Sequence, residues 1–453
     1  MQHTTPPCDS WLSGWTRLSI LALLAVLALP GSALAANDPG DEVITFTKDV
    51  ERILQENCQV CHQPDAIGPM ALTSYEEVRP WAPLIREAVL SQKMPPYQYD
   101  TGVGIQELQS DMRLSREEIE TLVAWVDAGA PQGDPADAPP PVAWPDAAAW
   151  GYVDLYGPPD IIVRSAPFDI PANGQDTWWR PTVDTGITES RCMRAIQTKP
   201  VLSGRAMTHH ANSVFVMPGD ADASDDDDGA ASQGGRLSEY ALGKLGEIIP
   251  EGACRTAPAG SQVRWDIHYY PSGVDVEDHV VEVGIWLYPE DYAGSYRQDL
   301  RTYGLQGDID LAPGGTAMTQ GFHSFDHPVR IDSWQPHGHF RMVAGSLEFF
   351  YPETGRRELI SMVSRWTALW HHSHVYDEDV APLLPAGAVM VLTQWYDNTA
   401  NNPINPDPTV WVGRGSRTTD EMSHNWIAVT HLDQEGYERI VAEREAKATP
   451  TTD

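Results

Sequence analysis

Apolar positions recur with two different periods along this chain of 453 residues. Between residues 42 and 130 the period is helical. Val50, Ile53 and Leu54 share one face, with Thr47 placed to cap the turn before them. Ile119, Leu122, Val123 and Val126 repeat the pattern behind Ser115-x-x-Glu118, a capping box, and before Gly129. A small all-α domain of short helices is predicted there. From residue 160 the pattern becomes one of short strands: "SVFVM", "VRWDIHYY", "VVEVGIWLY", "GSLEFFY" and "VMVLTQWY" are rich in β-branched and aromatic residues and are separated by Gly, Pro, Asn and Asp. Many such strands with few helical stretches predict all-β sandwiches of jelly-roll type. The stretch 131–159, which includes "DPADAPPPVAWPD", has no apolar period and reads as a stiff Pro-rich linker.

The ends carry different signals. Arg17 precedes the apolar run "LSILALLAVLAL", and Ala33 and Ala35 offer the small residues of a signal-peptidase site, so residues 1–35 are read as a signal peptide. The run is short for a bilayer and breaks at Pro30 and Gly31, which argues against an uncleaved anchor and against stable membrane insertion after processing. Export follows, with a Gram-negative periplasm as the expected compartment. The last stretch, 434–453, is read as a polar tail. Acidic residues number 64 against 30 basic ones, a balance that excludes nucleic acid as a partner and suits a basic or neutral one. "GDADASDDDDGAASQGG" imitates a calcium loop, but no acidic residue stands at the twelfth position when Ser224, Asp226, Asp228 and Gly229 are aligned to that motif, so a solvated insertion is expected.

Cysteine is scarce, five in all, yet "CQVCH" spends two of them at Cys58 and Cys61 and follows with His62. This is the pattern of one covalent haem c, in which both thiols form thioethers and the histidine is an axial iron ligand. The helical domain 42–130 is therefore expected to be a cytochrome c domain. Met94 precedes two prolines in a segment that cannot be helical and is the candidate sixth ligand, with Met70 and Met112 as alternatives. Cys8 falls ahead of the cleavage site. Cys192 and Cys254 remain, and in an oxidising compartment they are expected to pair.

The β region holds a second kind of chemistry. His337 and His339 are two apart, and alternate residues of a strand share a face, so both imidazoles can reach one ion. Met422 could add a thioether, and two imidazoles with a thioether favour copper. Upstream stand His209, His210 and His268. Adjacent residues point to opposite sides of a strand, so the His209–His210 pair can share a metal only at a strand end or a bulge. His371, His372 and His374 in "WHHSHVYD" read as an accessory metal site or as a polar strand end, and His279, His323 and His327 as surface or structural.

In their order, these motifs resemble the copper type II, ascorbate-dependent monooxygenases, the family of peptidylglycine α-hydroxylating and dopamine β-monooxygenases. The resemblance rests on His209-His210, His268, His337-Gly-His339 and Asp420-Glu421-Met422, with "DNTANNPINPDP" before the methionine, over roughly residues 160–432. The helical domain resembles the cytochrome fused to a bacterial subgroup. The resemblance implies two sandwiches, 160–300 with a three-histidine copper site and 301–433 with a His/His/Met site. It implies an O2-dependent hydroxylation of a C–H bond in a small organic substrate, with His337, His339 and Met422 at the catalytic copper. Electrons from an ascorbate-like reductant or a redox protein would enter through the haem. The residues that hold a peptide carboxylate in one branch are replaced here by Gln335, His424 and Trp426, so peptidylglycine is not expected as the substrate. Trp395 and Trp426 are candidates for an apolar pocket wall or for buried core. An electron-relay cytochrome that binds copper without oxidising a substrate is the competing class.

Overall fold

The alternating pattern becomes two sandwiches that share one sheet. A computed structural model describes residues 43–448, apart from positions 65, 110, 145, 220–235, 242, 243, 245, 293, 305–308 and 416. The expected signal peptide and nearly all of the acidic insertion lie outside the described residues. Strands predominate and helices are few. Among the described residues no helix is long and apolar enough to cross a membrane.

The shared sheet has ten strands. Its order is Ile161–Arg164, Val281–Leu287, Arg191–Pro200, Ala253–Ala257, Tyr296–Tyr303, His424–His431, Val329–His337 and His374–Val375, with Glu247–Ile248 and Leu383–Leu384 pairing at its sides. Its first half faces a five-stranded sheet built around Thr208–Val216 and Gln262–Tyr269, and Met193, Ile196, Phe215, Trp265 and Ile285 fill the space between. Its second half faces a four-stranded sheet, Thr316–Ser324, Val389–Asp397, Met342–Tyr351 and Arg356–Val363, over Ile331, Trp334, Leu347, Met390 and Ile427. Burying each such side chain contributes roughly 1.5–3 kcal/mol, and the polar exceptions are paired, as where Thr198 meets Ser213 across the first sandwich at 2.9 Å.

The boundary expected between residues 300 and 301 falls inside a strand. Tyr296 and Arg297 pair in parallel with Ala253 and Cys254, while Gln298 to Tyr303 pair antiparallel with Thr430 to Asn425. One strand thus bonds to the first sandwich at its start and to the second along the rest of its length, carrying the sheet from one to the other. The Cys192–Cys254 disulfide ties Arg191–Pro200 to Ala253–Ala257 beside this junction, with Cα atoms 5.0 Å apart.

Residues 44–130 form short helices, Glu51–Asn57, Tyr75–Val78, Ala82–Leu90 and Arg116–Asp127, around Phe46, Leu54, Val78, Leu122 and Trp125. The capping box forms in both directions, Glu118 N–H to Ser115 Oγ at 3.2 Å and Ser115 N–H to Glu118 Oε2 at 2.6 Å. Thr47 does not cap: the turn starts at Phe46, and the Thr47 hydroxyl and amide both donate to the Gln132 carbonyl. Nor is the helical stretch self-contained. Tyr99 and Leu108 leave it to enter the second sandwich core, where Ile105 N–H meets the Ile360 carbonyl at 3.0 Å and Gln109 N–H that of Val375 at 2.8 Å.

Two further expectations change. The end of the Pro-rich linker is packed rather than extended, because Trp150 and Tyr152 stand edge-on to Trp286 at 5.9 and 5.4 Å. The C-terminal segment is polar but folded: Gln434–Ala448 is a helix whose Arg444 guanidinium donates to the Ala381 carbonyl at 2.8 Å. All of this places the strand ends that carry the histidines side by side.

Candidate functional site

Histidines from both sandwiches line one cavity of about 140 Å³. His210 pairs across the ladder with His268, and the register then slips, so that Tyr269 faces Thr208 and His209 is the extra residue. This bulge is what lets two adjacent histidines face the same side. One nitrogen each from His209, His210 and His268 lies within 4.8 Å of the others. Their ring centroids are 5.4, 5.1 and 5.2 Å apart. Imidazoles sharing one ion at ~2.0 Å metal–nitrogen bonds would put their centroids roughly 5 Å apart. The three residues form a possible metal-binding group.

Neighbours hold these rings. Trp178 stacks on His268 at 4.2 Å, and the Asp176 carboxylate meets His268 Nε2 at 3.1 Å, the carboxylate–imidazole arrangement that orients a ligating ring. Nδ1 of His209 and of His210 is buried and has no hydrogen-bond partner. Burial first, then the neighbouring histidines His371 and His268, hold His209 down to about 4; His210 lies well below its usual range for the same reasons, with His209 added. Both rings are neutral near neutral pH, the form that binds metals.

The second group is built differently from the expectation. His337 ends its strand, and His339 lies two residues beyond, outside the ladder. Gly338 makes the departure possible, since a Cβ there would stand 2.6 Å from the Met342 sulfur. What returns His339 to the site is Glu421. Its buried carboxylate accepts the backbone N–H of His339, that of Arg341 at 2.9 Å and that of Met422 at 2.9 Å. The loop with His339 and the segment with Met422 are thereby locked together. The His337 and His339 rings are 5.5 Å apart, and Met422 lines the same cavity. His339 Nδ1 lies 3.2 Å from the Asp420 carbonyl. Burial, then His424 and His371, keep His337 well below its usual range.

Several residues take places the sequence did not assign. His424 is the ladder partner of His337 and stacks on it at 4.6 Å. His371 stands between the groups, its ring 6.0 Å from His209, 5.9 Å from His210 and 5.2 Å from His337. Glu239 reaches His371 Nδ1 at 3.5 Å and accepts from Gln335 Nε2 at 2.8 Å. Burial pushes the Glu239 carboxyl up, but Arg236 and Lys244 outweigh it and hold it well below the carboxylate range. Gln335 thus joins the sandwiches and does not line the cavity, whereas Trp426 lines it beneath the Arg236 guanidinium, 3.4 Å above the ring. Trp395 is not on its wall. The only advance signals for these residues were the spacing of "WHHSH" and the acid beside Met422; Asp176 and Glu239 lie in stretches with no metal-site pattern.

Cys58 and Cys61 are free thiols. Burial, then Cys61 and Glu118, push the Cys58 thiol up to about 12. His62 Nδ1 lies 3.1 Å from the Met70 carbonyl, which leaves Nε2 as the ring's outward nitrogen, and Gly68 sits so close that a Cβ would meet His62 Nδ1 at 2.7 Å. Cys61 opens on a second cavity of about 720 Å³ between the helices and the sandwiches, within the roughly 300–1,000 Å³ of cofactor pockets. Neither Cys58, which packs against the helical core, nor His62 is on the wall of that cavity. Of the three candidate methionines, Met112 is on that cavity wall, Met70 packs against the helical core, and Met94 is on neither.

No protein-family model matches the chain, and no curated protein matches it. Among solved structures it is similar to the VP2 subviral particle of infectious bursal disease virus, at 8% identity over 60% of this chain and 76% of that chain, with a TM-score of 0.18. It is also similar to the N-terminal CBM22-1-CBM22-2 tandem domain of Paenibacillus barcinonensis Xyn10C, at 10% identity over 61% of this chain and 98% of that chain, with a TM-score of 0.15. Likenesses this distant carry no functional argument.

Proposed function

We propose that the protein is an exported copper-dependent monooxygenase that hydroxylates a C–H bond of a small organic substrate with O2, and that its helical region is a cytochrome c domain through which electrons enter. The observation that carries this reading is the convergence of His209, His210 and His268 from one sandwich with His337, His339 and Met422 from the other on a single cavity. The donor sets differ, three imidazoles against two imidazoles and a thioether, and the second suits copper over zinc or iron. Bound copper would supply the oxygen chemistry, and a haem on Cys58, Cys61 and His62 the one-electron steps.

The chain's own part is to place and shield. Asp176 and the Asp420 carbonyl orient ligating rings, Glu421 fixes His339 against Met422, and Trp178, Phe340, Leu369 and Trp426 give the cavity an apolar wall that keeps water away from reacting atoms. A hydroxylation consumes two electrons and a haem delivers one at a time, so the cytochrome would be reduced twice per turnover. The absence of a carboxylate clamp at Gln335 argues against a peptide substrate, and the Arg236 guanidinium over Trp426 is already engaged by Glu239 at 3.5 Å.

One observation favours the second reading, a copper-binding electron relay without a substrate: about 140 Å³ is small beside ordinary ligand pockets of roughly 300 Å³ and above. Metal analysis of the exported, haem-bearing protein, joined to oxygen uptake, separates the two. The monooxygenase requires about two coppers and one iron per chain, one copper fewer in Met422→Ala, and oxygen consumption that rises when a substrate is supplied. Two coppers without substrate-dependent uptake across a broad substrate panel would leave the relay; iron alone would remove both.

A further inference from the structure

The two strands that bring His337 and His424 to the cavity meet another histidine pair at their far ends. Val329 begins the strand that ends at His337; it pairs with His431, as His337 pairs with His424. Seven residues at ~3.3 Å each place His431 roughly 23 Å from His424. There His431 Nδ1 lies 2.7 Å from Nε2 of His327, which belongs to the turn before Val329, and the ring centroids are 5.0 Å apart.

Carboxylates hold the outer nitrogen of each ring. Asp326 Oδ1 is 2.5 Å from His327 Nδ1, and Asp299 Oδ2 is 3.2 Å from His431 Nε2. Both acids are ionised. The hydrogen bond from His327, with its charge, holds the Asp326 carboxyl below its ordinary value. Burial pushes Asp299 up, but His431, Arg301 and Arg297 outweigh it. An ionised carboxylate only accepts, so each outer nitrogen carries its ring's N–H. A neutral imidazole has a single N–H, and the two inner nitrogens therefore confront one another as lone pairs. Lone pairs at this separation repel unless a cation lies between them.

We propose that His327 and His431 bind a divalent metal ion of the zinc class at this point, with water completing its coordination. Imidazole nitrogen suits such an ion, and a carboxylate behind each ligating ring is the arrangement that fixes its tautomer and strengthens it as a donor. Two nitrogens on one tetrahedral ion at ~2.0 Å stand ~3.3 Å apart. The pair reaches that spacing by a small swing of His327, whose side chain is 38% exposed, while His431 stays against Asp299, itself anchored by Arg297 and by Arg301 at 3.1 Å. Phe325 closes the inner side, edge-on to His327 and His431 at 6.1 and 6.0 Å. The ion fastens the turn before one strand to the end of another, next to the start of the C-terminal helix at Gln434. It takes no part in the chemistry of the cavity, and the site stands whether or not the monooxygenase reading does.

The test dialyses the exported full chain against micromolar zinc and counts zinc per chain. The parent should hold one zinc more than His327→Ala and one more than His431→Gln, whatever the cavity histidines retain, since both variants leave those untouched. His327 is at the surface, so His327→Ala should keep the parent's urea midpoint in the absence of zinc. Asp326→Asn should keep the extra zinc but bind it on the order of tenfold more weakly. Anomalous scattering at the zinc edge should place an ion between His327 Nε2 and His431 Nδ1. Equal zinc in the parent and in His327→Ala, or anomalous density at the cavity histidines alone, overturns the proposal and leaves a shared proton as the cation between the rings.

Discussion

At the scale of residues, Glu421 shows how one side of the cavity is held from behind. It is fully buried and answers three backbone donors, those of His339, Arg341 and Met422. Removing the acceptor strands buried N–H groups, each costing about 1–3 kcal/mol. Glu421→Ala should therefore lower stability in urea unfolding by about 3 kcal/mol and release one copper, while Glu421→Gln, which keeps an acceptor oxygen, should do less of both. His279 gives a pH effect away from the ligands. It is wholly buried, and burial holds it down to about 4 from its ordinary 6.5. The unfolded chain thus binds the proton more readily, and the stability this ring contributes is complete above the unfolded value and is lost as pH falls through about 4. The loss is on the order of 3 kcal/mol, and denaturant titrations between neutral pH and the folded value should show a shallower decline in His279→Gln. The histidines that meet at the cavity were legible because spacing and order survive in one dimension. Asp176 and Glu239 were not, since each meets its histidine only after the chain has returned from 92 and 132 residues away.

At the scale of elements, strand content followed from side-chain alternation, and the capping box from four letters. The bulge at His209 was anticipated as a condition without being visible, because a register slip belongs to two strands at once. The H-x-H pair misled for a related reason: alternation holds only while the ladder continues, and Gly338 lets the chain leave it. The excursion of residues 97–109 has no period of its own and is recruited by a core formed far downstream. The disulfide joins elements separated by 62 residues. Cross-linking a loop of that length stabilises by about 4 kcal/mol in the chain-entropy account, so the Cys192→Ala/Cys254→Ala pair should shift the urea midpoint accordingly, with copper still bound by the surviving folded fraction.

At the scale of the whole molecule, charge and continuity matter most. A net charge of −34 surrounds the chain. Electron delivery by a cationic redox protein should slow on the order of tenfold between about 10 mM and 200 mM salt, and delivery by a neutral small reductant should not change. Stopped-flow reduction of the haem at several ionic strengths reads this directly.

The strand Tyr296–Tyr303, bonded to a sandwich on either edge, sets a mechanical limit. Halves joined through one continuous strand, and further tied where Gln335 of one donates to Glu239 of the other, resist swinging apart like jaws. Guests must be admitted by the swivel of individual side chains at its mouth. Binding in such a vessel would resemble a lock with a narrow keyway: selective by size, slow to load, and insensitive to the viscosity that retards proteins obliged to open and close.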